Sequence, residues 1–515
     1  MFDKQRRLRK NRAALLTAAL ATGLILAGCS TANTDTDGAS TETIEGGTLT
    51  VSTAPINSLD PQGASAASTG TGTVAKAVFS TLVKTDDDGF VGDLATEWEA
   101  SEDGTTWTFT LNPDAVFSDG TPVTSEDVAA SITRTQTEKG PNASLFAGIT
   151  AVETPSDNEL VLTTTAGGSL LYSLTLLFVG QADSIADPAY WEKPIGSGPF
   201  TVESFAAGDT VTLARNDEYW ADPATLDHVK LVSLPEVSSQ VTAIETGDAD
   251  ILVNIPQDQI PVIEGGGAAT VEASDALSIM ALWFNNSREP FTDIDVRKAM
   301  WMAVDWDKIR EDLYGEISNT GTAPIASGVF GWSEQEPYGY DPDEATQLLE
   351  DAGYADGFEV EFKYNPTSFS QLQSFLEAAV TYWNEIGVTV KLMPQEQAVY
   401  LEDLTSLNWD MTEVVNTSKT GDADQILGRL YTTKANRLGY SNPEVDQLTA
   451  EAAASTDQEA RAAAYAEVNE ILWNDIAGIW PMEVKSVYAV ANRVTGFVPD
   501  PSGQPTFVDV ALTSE

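Results

Sequence analysis

The sequence predicts an α/β protein built as at least two compact lobes, and three observations carry that prediction. Its 515 residues exceed the size at which a single hydrophobic core keeps growing. Short strands alternate with capped helices along the body, including one strand, helix, strand run of the kind that builds a parallel sheet. Apolar residues make up 42% of the chain and aromatics 9%, enough to fill real cores and to confine disorder to short stretches.

The N-terminus comes before any of this. Lys4, Arg6, Arg7, Arg9, Lys10 and Arg12 form a basic segment, and residues 13–28 follow as an uncharged run rich in Ala and Leu. Basic, then apolar, then small is the order of a secretory signal. The run is short for a membrane span. Its end, Leu26-Ala27-Gly28-Cys29, resembles the lipobox of bacterial lipoproteins, which implies that Cys29 becomes the lipidated first residue of the mature chain. Buried acyl chains contribute roughly 0.8 kcal/mol per CH2 group, so several together hold a protein at a membrane. Residues 30–46, rich in Ser, Thr, Asp and Gly, read as a flexible tether.

The body begins with a strand at Thr48–Ser52 and a turn at Leu59-Asp60-Pro61. Between Thr106 and Leu111, Trp107, Phe109 and Leu111 share one face opposite threonines, the mark of a half-buried strand. After a turn at 117–122, Thr124 caps a helix with Asp127 reaching back, and Val128, Ala129 and Ile132 give that helix an apolar face. Asp341-Pro342 opens a helix that buries Ala345, Leu348, Leu349 and Ala352 and stops at Gly353. A strand over 357–364, a helix carrying Phe369, Leu372, Phe375, Leu376, Ala379 and Trp383, and a strand over 388–392 form the crossover unit. Asn442-Pro443 starts another helix, and Thr456-Asp457-Gln458-Glu459 reads as the capping box of a long one reaching Asp475. No repeat of fixed period appears.

Composition then excludes several function classes. With 27 Lys and Arg against 78 Asp and Glu, the net charge is -51, and a surface this anionic repels phosphate backbones. Nucleic acid is therefore not an expected partner. The acid excess reads as a solubility device of an exported protein. The single cysteine makes no internal disulfide, and with His228 as the single histidine the usual zinc ligands are missing. No metal and no cofactor are expected. The sequence contains no Gly-x-Ser-x-Gly elbow, and no serine partner for His228 is evident, so an enzyme is not the expected reading. Paired carboxylates of an extracellular glycoside hydrolase remain an alternative in so acidic a chain.

A set of short stretches, taken in order, carries a resemblance. They are Leu94-Ala95-Thr96-Glu97-Trp98, the run from Phe117 to Val128, Ile195-Gly196-Ser197-Gly198-Pro199-Phe200, Arg215 to Trp220 and Glu245 to Ile251. Phe284-Asn285, Pro290 to Asp293, Val296 to Ala299 and Tyr440 to Asp446 continue it. In this order the chain resembles the bacterial extracellular solute-binding proteins of family 5, which include oligopeptide-, dipeptide- and nickel-binding proteins.

The resemblance implies a two-lobed, periplasmic-binding-protein-like clamp of type II with an extra subdomain inserted in the first lobe. On this reading residues 1–28 are signal peptide and 29–46 the lipidated cysteine and tether. Lobe I comprises 47–70, 186–275 and 485–515, the insertion 71–185, and lobe II 276–484. The function implied is that of the substrate-binding lipoprotein of an ABC importer, anchored at the outer face of the cell membrane. It captures a peptide or related small solute and hands it to permease subunits. A non-peptide solute such as an opine, an amino-acid derivative or an oligosaccharide is the alternative, and a monomer is expected.

The resemblance also implies three cleft-lining segments: the loop after Asp60-Pro61, the stretch with Trp283 and Asn285, and the loop 415–424 that contains Asn416. Peptide binders of the family carry in that last loop a Gly-Trp, two further residues, and then an Asp that pairs with the ligand's amine. Here the Gly-Trp is missing, and alignment on Gly421-Asp422 brings Lys419 to the acid's position. A cation there repels ammonium and attracts carboxylate. A gap of a few residues would bring Asp422 there instead, and a solvated loop lysine is the other reading of Lys419.

Overall fold

The computed structural model describes residues 43–514 apart from 87, 88 and 139. The signal segment, Cys29 and most of the tether lie outside these residues. Among the described residues no helix is long and apolar enough to cross a membrane.

Each lobe is organised around one sheet. Lobe I has a seven-stranded sheet in the spatial order Ala269–Ala273, Val487–Ala491, Ile251–Val253, Thr48–Thr53, His228–Ser233, Thr210–Arg215 and Phe200–Ala206. Thr48–Thr53 runs parallel to both of its neighbours, and its Leu49 and Val51 are completely buried. Leu49 and Val51 share one face of the strand and pack in the lobe I core, with threonines and a serine on the other.

Lobe II has a six-stranded sheet, ordered Ser318–Thr320, Gly478–Val484, Ser278–Phe284, Met411–Thr417, Phe358–Tyr364 and Val388–Pro394. The crossover unit is here: Phe358–Tyr364 pairs parallel with Val388–Pro394. Between them the helix Leu372–Glu385 buries Leu372, Phe375, Leu376, Ala379 and Trp383. Phe369 precedes that helix, packing on Tyr314 from the connecting turn. Fully burying side chains of this size contributes on the order of 2 kcal/mol each, so the apolar stripe fixes the helix on the sheet.

The insertion has its own four-stranded antiparallel sheet, Ala95–Ala100, Thr106–Leu111, Glu159–Thr164 and Ile149–Ser156. Its core runs from Leu82 to Val179. The expected start at 71 is early, because the helix Thr69–Val78 packs Val74, Ala75, Ala77 and Val78 into the core of lobe I beside Phe200 and Val202. Phe178 and Ile185 belong to that same first-lobe core.

The helix starts follow the capping residues with one exception. Thr124 and Asp127 form the reciprocal box, with the Thr124 amide donating to Asp127 Oδ2 at 2.8 Å. Asp341 and Asn442 cap Pro342–Asp351 and Pro443–Ala454. The helix Gln458–Asn474 starts one residue later than expected. Asp457, not Thr456, is its cap, its carboxylate accepting from the amides of Glu459 and Ala460. The tether is also shorter than expected: Thr43–Ile44 pairs antiparallel with the C-terminal strand Ala511–Thr513, so that part is ladder and not free chain.

Two short crossings join the lobes, at 274–277 and 485–486. They lie side by side: the Ser274 amide donates to the Ser486 carbonyl at 2.9 Å, and the Ser486 amide donates to Ser274 Oγ at 3.2 Å.

Candidate ligand cleft

The loop that follows the strand Met411–Thr417 is held rigid by its own polar side chains. Ser418 Oγ donates to the Asp422 carbonyl at 2.8 Å, and Gln425 Oε1 accepts from the Thr420 amide at 2.9 Å. Gly421 makes the turn at φ +75°, a region where a side chain would be strained. Asp422 points inward. Its Oδ2 meets Arg461 Nη2 at 2.6 Å, with exposures of 1% and 0%, and its Oδ1 accepts from the Asp424 amide. The acid that a shifted alignment would bring to the ligand is thus held in an internal ion pair.

Lys419 points the other way, toward lobe I. Its Nζ donates to the Ala67 carbonyl of lobe I at 2.8 Å. Ala67 ends the short 3-10 turn Ala64–Ala67 in the loop after Asp60-Pro61, and that loop is pinned as firmly as its counterpart. Asp60 accepts from the amides of Gln62 and Gly63 and takes a two-pronged contact from Arg134, at 2.9 and 2.7 Å. Arg134 itself lies 4.7 Å from the Trp191 ring centre. Two of the three segments expected at the cleft therefore meet at Lys419 and Ala67.

Burial lowers Lys419 to a pKa of about 8, and the positive charges of Lys76 and Arg429 push in the same direction. Arg429 is lowered by burial and by Arg437. Among the described residues Lys419, Arg429 and Arg437 have no carboxylate at ion-pair distance, whereas Lys76 is paired with Asp500 at 2.7 Å. On the strand leading into the loop, Asn416 is half-buried, and its Nδ2 is shielded from solvent without a hydrogen-bond partner.

The third expected segment is placed differently. Trp283 lies in the central strand Ser278–Phe284, where every residue from Ile279 on is buried. It is 2% exposed, and its Nε1 donates to Tyr431 Oη at 3.1 Å, which also accepts from Trp480. Asn285 donates to the carbonyls of Leu407 and Trp409 and accepts from Ser287. Both side chains fasten lobe II internally, Trp283 because a strand covered on both faces has no side chain to spare and Asn285 because its amide ties the turn after the strand to Leu407 and Trp409. Ala67, Lys76 and Arg429, whose groups act on Lys419 here, were not singled out from the sequence.

A second contact between the halves lies at the insertion. Tyr172, from its helix Gly167–Leu174, packs with its ring 5.7 Å from that of Phe330 at a tilt of 31°, and the Arg461 guanidinium lies 5.4 Å from the Tyr172 ring centre and 5.0 Å from that of Phe330. Beside them Asp424 is pushed up to about 7, first by burial and then by the charge of Asp422, against the pull of Arg461 and a hydrogen bond from Ser169. The lone histidine is elsewhere: His228 sits half-exposed on the lobe I sheet, 3.8 Å from Glu203.

Comparison with known proteins bears on what this cleft does. Residues 89–437 match the family model described as bacterial extracellular solute-binding proteins, family 5 middle. The chain is 26% identical over 439 residues to the probable D,D-dipeptide-binding periplasmic protein DdpA of Escherichia coli K12, covering 81% of this chain and 83% of that one. The solved structure of the binding protein AgaA from A. tumefaciens R10, in complex with agropinic acid, superposes with a TM-score of 0.78 at 26% identity, over 91% of this chain and 99% of that one. The Helicobacter pylori periplasmic binding protein DppA, in complex with the peptide STSA, gives 0.79 at 22% identity over 91% and 98%, a likeness of fold.

Proposed function

This chain belongs to the bacterial extracellular solute-binding proteins of family 5, and from that membership we propose that it is the lipid-anchored substrate-binding subunit of an ABC importer. Family members are type II periplasmic binding proteins that bind peptides or small molecules for ABC permeases. The observation that carries the reading is the bridge from Lys419 to Ala67 between lobes joined by two adjacent crossings. A solute held there touches both lobes, so its contacts accrue to the closed form alone and shift the population toward closure. The permease then receives a shape that reports loading. The basic and apolar N-terminal segment ending in Cys29 supports an anchor at the outer face of the membrane, with the globular body as a monomer.

Small-angle scattering of the body, titrated with peptides and other small solutes, tests the clamp. A bound solute is expected to reduce the radius of gyration, and an unchanged radius with every solute, bound or not, would sink the reading. Membrane fractionation of Cys29→Ser tests the anchor, with release into the soluble fraction expected.

A second reading keeps the receptor and changes the guest to a non-peptide solute such as an opine or amino-acid derivative. Lys419 favours it, since alignment on Gly421-Asp422 brings a cation to the position where the family's peptide binders carry the amine-pairing acid. The agropinic acid found in the AgaA structure adds support.

A further inference from the structure

We propose that the cleft holds its solute by a carboxylate seated between Lys419 and Arg429, so that the ligand class is a small carboxylate-bearing solute that needs no free ammonium group. This rests on the receptor reading above and names its substrate class.

The first ground is a mismatch of charges. Lys419 and Arg429 are both largely withdrawn from water, where an unpaired cation is costly. Yet Lys419, Arg429 and Arg437 have no carboxylate at ion-pair distance among the described residues. The charges that reach Lys419 most strongly are those of Lys76 and Arg429, both positive. Taking cations out of water next to one another costs free energy unless a counter-charge arrives. An anion from outside supplies it.

The second ground is where the local acids have gone. Asp422 is consumed by Arg461 at 2.6 Å, and Asp424 turns to Ser169 of the insertion. An ammonium group entering between Lys419 and Arg429 meets two cations, with Asp422 and Asp424 already engaged elsewhere.

The third ground is donor supply on a fixed frame. Lys419 Nζ has three donors and spends one on Ala67. Arg429 spends Nε on the Gln425 carbonyl at 3.1 Å, which leaves the two terminal nitrogens that match a carboxylate edge. Asn416 Nδ2 adds a shielded donor without a partner. The loop holding Lys419 is stapled by Ser418 and Gln425, so little ordering remains to be done on binding.

Isothermal titration with N-acetylated amino acids, dipeptides and tripeptides, each as free carboxylate and as carboxamide, tests this, alongside the same peptides with a free amine and a carboxamide end. Carboxylate forms are expected to bind at least tenfold more tightly than their carboxamides. Lys419→Met and Arg429→Gln are each expected to remove about tenfold for carboxylates and to leave weak carboxamide binding within twofold, with thermal unfolding near that of the parent. A structural role for Lys419 would not produce a further effect: proton uptake on binding around pH 8, with affinity falling as pH rises beyond it. The proposal is overturned if carboxamide or free-amine forms match the carboxylates, if both substitutions leave affinity within twofold, or if no carboxylate form binds. In each case the receptor reading survives as long as some solute compacts the protein in scattering, and it fails when none does.

Discussion

Asp422 and Arg461 form an ion pair of 2.6 Å inside lobe II, with 1% and 0% of their side chains exposed. The pair anchors the loop that carries Lys419, and Arg461 extends from it toward Tyr172 of the insertion. Breaking a buried pair on one side leaves an uncompensated charge and costs about 3 to 5 kcal/mol. Asp422→Asn is therefore expected to destabilise the protein by an amount of that order in urea unfolding. The double variant Asp422→Leu with Arg461→Met should recover at least half. A loss under about 1 kcal/mol for the single variant would show that the pair does not anchor the loop.

Glu413 gives a pH dependence. It is fully buried in the strand Met411–Thr417, accepts from Ser368 Oγ at 2.6 Å, and is pushed up to about 8 chiefly by burial. A carboxyl raised on folding binds its proton more tightly in the folded state. Its stabilising contribution is complete below the ordinary carboxylate range and is lost as pH rises through about 8. Stability is expected to fall by on the order of 3 kcal/mol from this group between pH 5 and pH 8, and Glu413→Gln should flatten that slope. Parallel unfolding curves of parent and variant at both pH values would refute it.

Arg134 links the insertion to the loop that presents Ala67. Replacing it by Met strips Asp60 of its two-pronged partner. Charged hydrogen bonds of this kind contribute about 1.5 to 3 kcal/mol, and a loss of that size in unfolding is expected. Solute affinity should also fall several-fold, since a loosened loop must be ordered on binding. Unchanged affinity alongside the stability loss would separate this loop from the cleft.

Tyr172 packs against Arg461 and Phe330, between the insertion and lobe II. Cation–π contacts contribute about 0.5 to 2 kcal/mol, so Tyr172→Leu should weaken every solute by a similar factor, roughly two- to thirtyfold. Titration of two unrelated solutes checks this. A change in their order of preference would show that Tyr172 touches the guest.

How much could be read from the sequence depended on range. The Thr124 and Asp127 box and the parallel crossover were legible because their partners lie within a few residues or follow a clean apolar period. Thr456 misled because two capping residues adjoin there, and Asp is the stronger acceptor. Trp283 carried its own warning: Ile279-Met280-Ala281-Leu282-Trp283-Phe284 is continuous apolar chain, the pattern of a strand covered on both faces. The cleft itself was less legible. Lys419 was found by alignment, but its partner is a backbone carbonyl 352 residues away, which leaves no trace in side-chain chemistry. Asp422 and Arg461 stand 39 residues apart, and nothing local tells such an acid to turn inward. Arg429 sits on the four-residue helix Leu427–Leu430, too short to announce a face.

The paired crossings at Ser274 and Ser486 limit how the halves can travel. Two connections tied to each other behave as one ribbon, so swinging about that ribbon is easy, whereas sliding one half past the other would tear the ties. Surfaces on the two halves then move relative to one another as a function of one angle. On the importer reading proposed above, a permease needs to gauge only that angle to tell a loaded protein from an empty one.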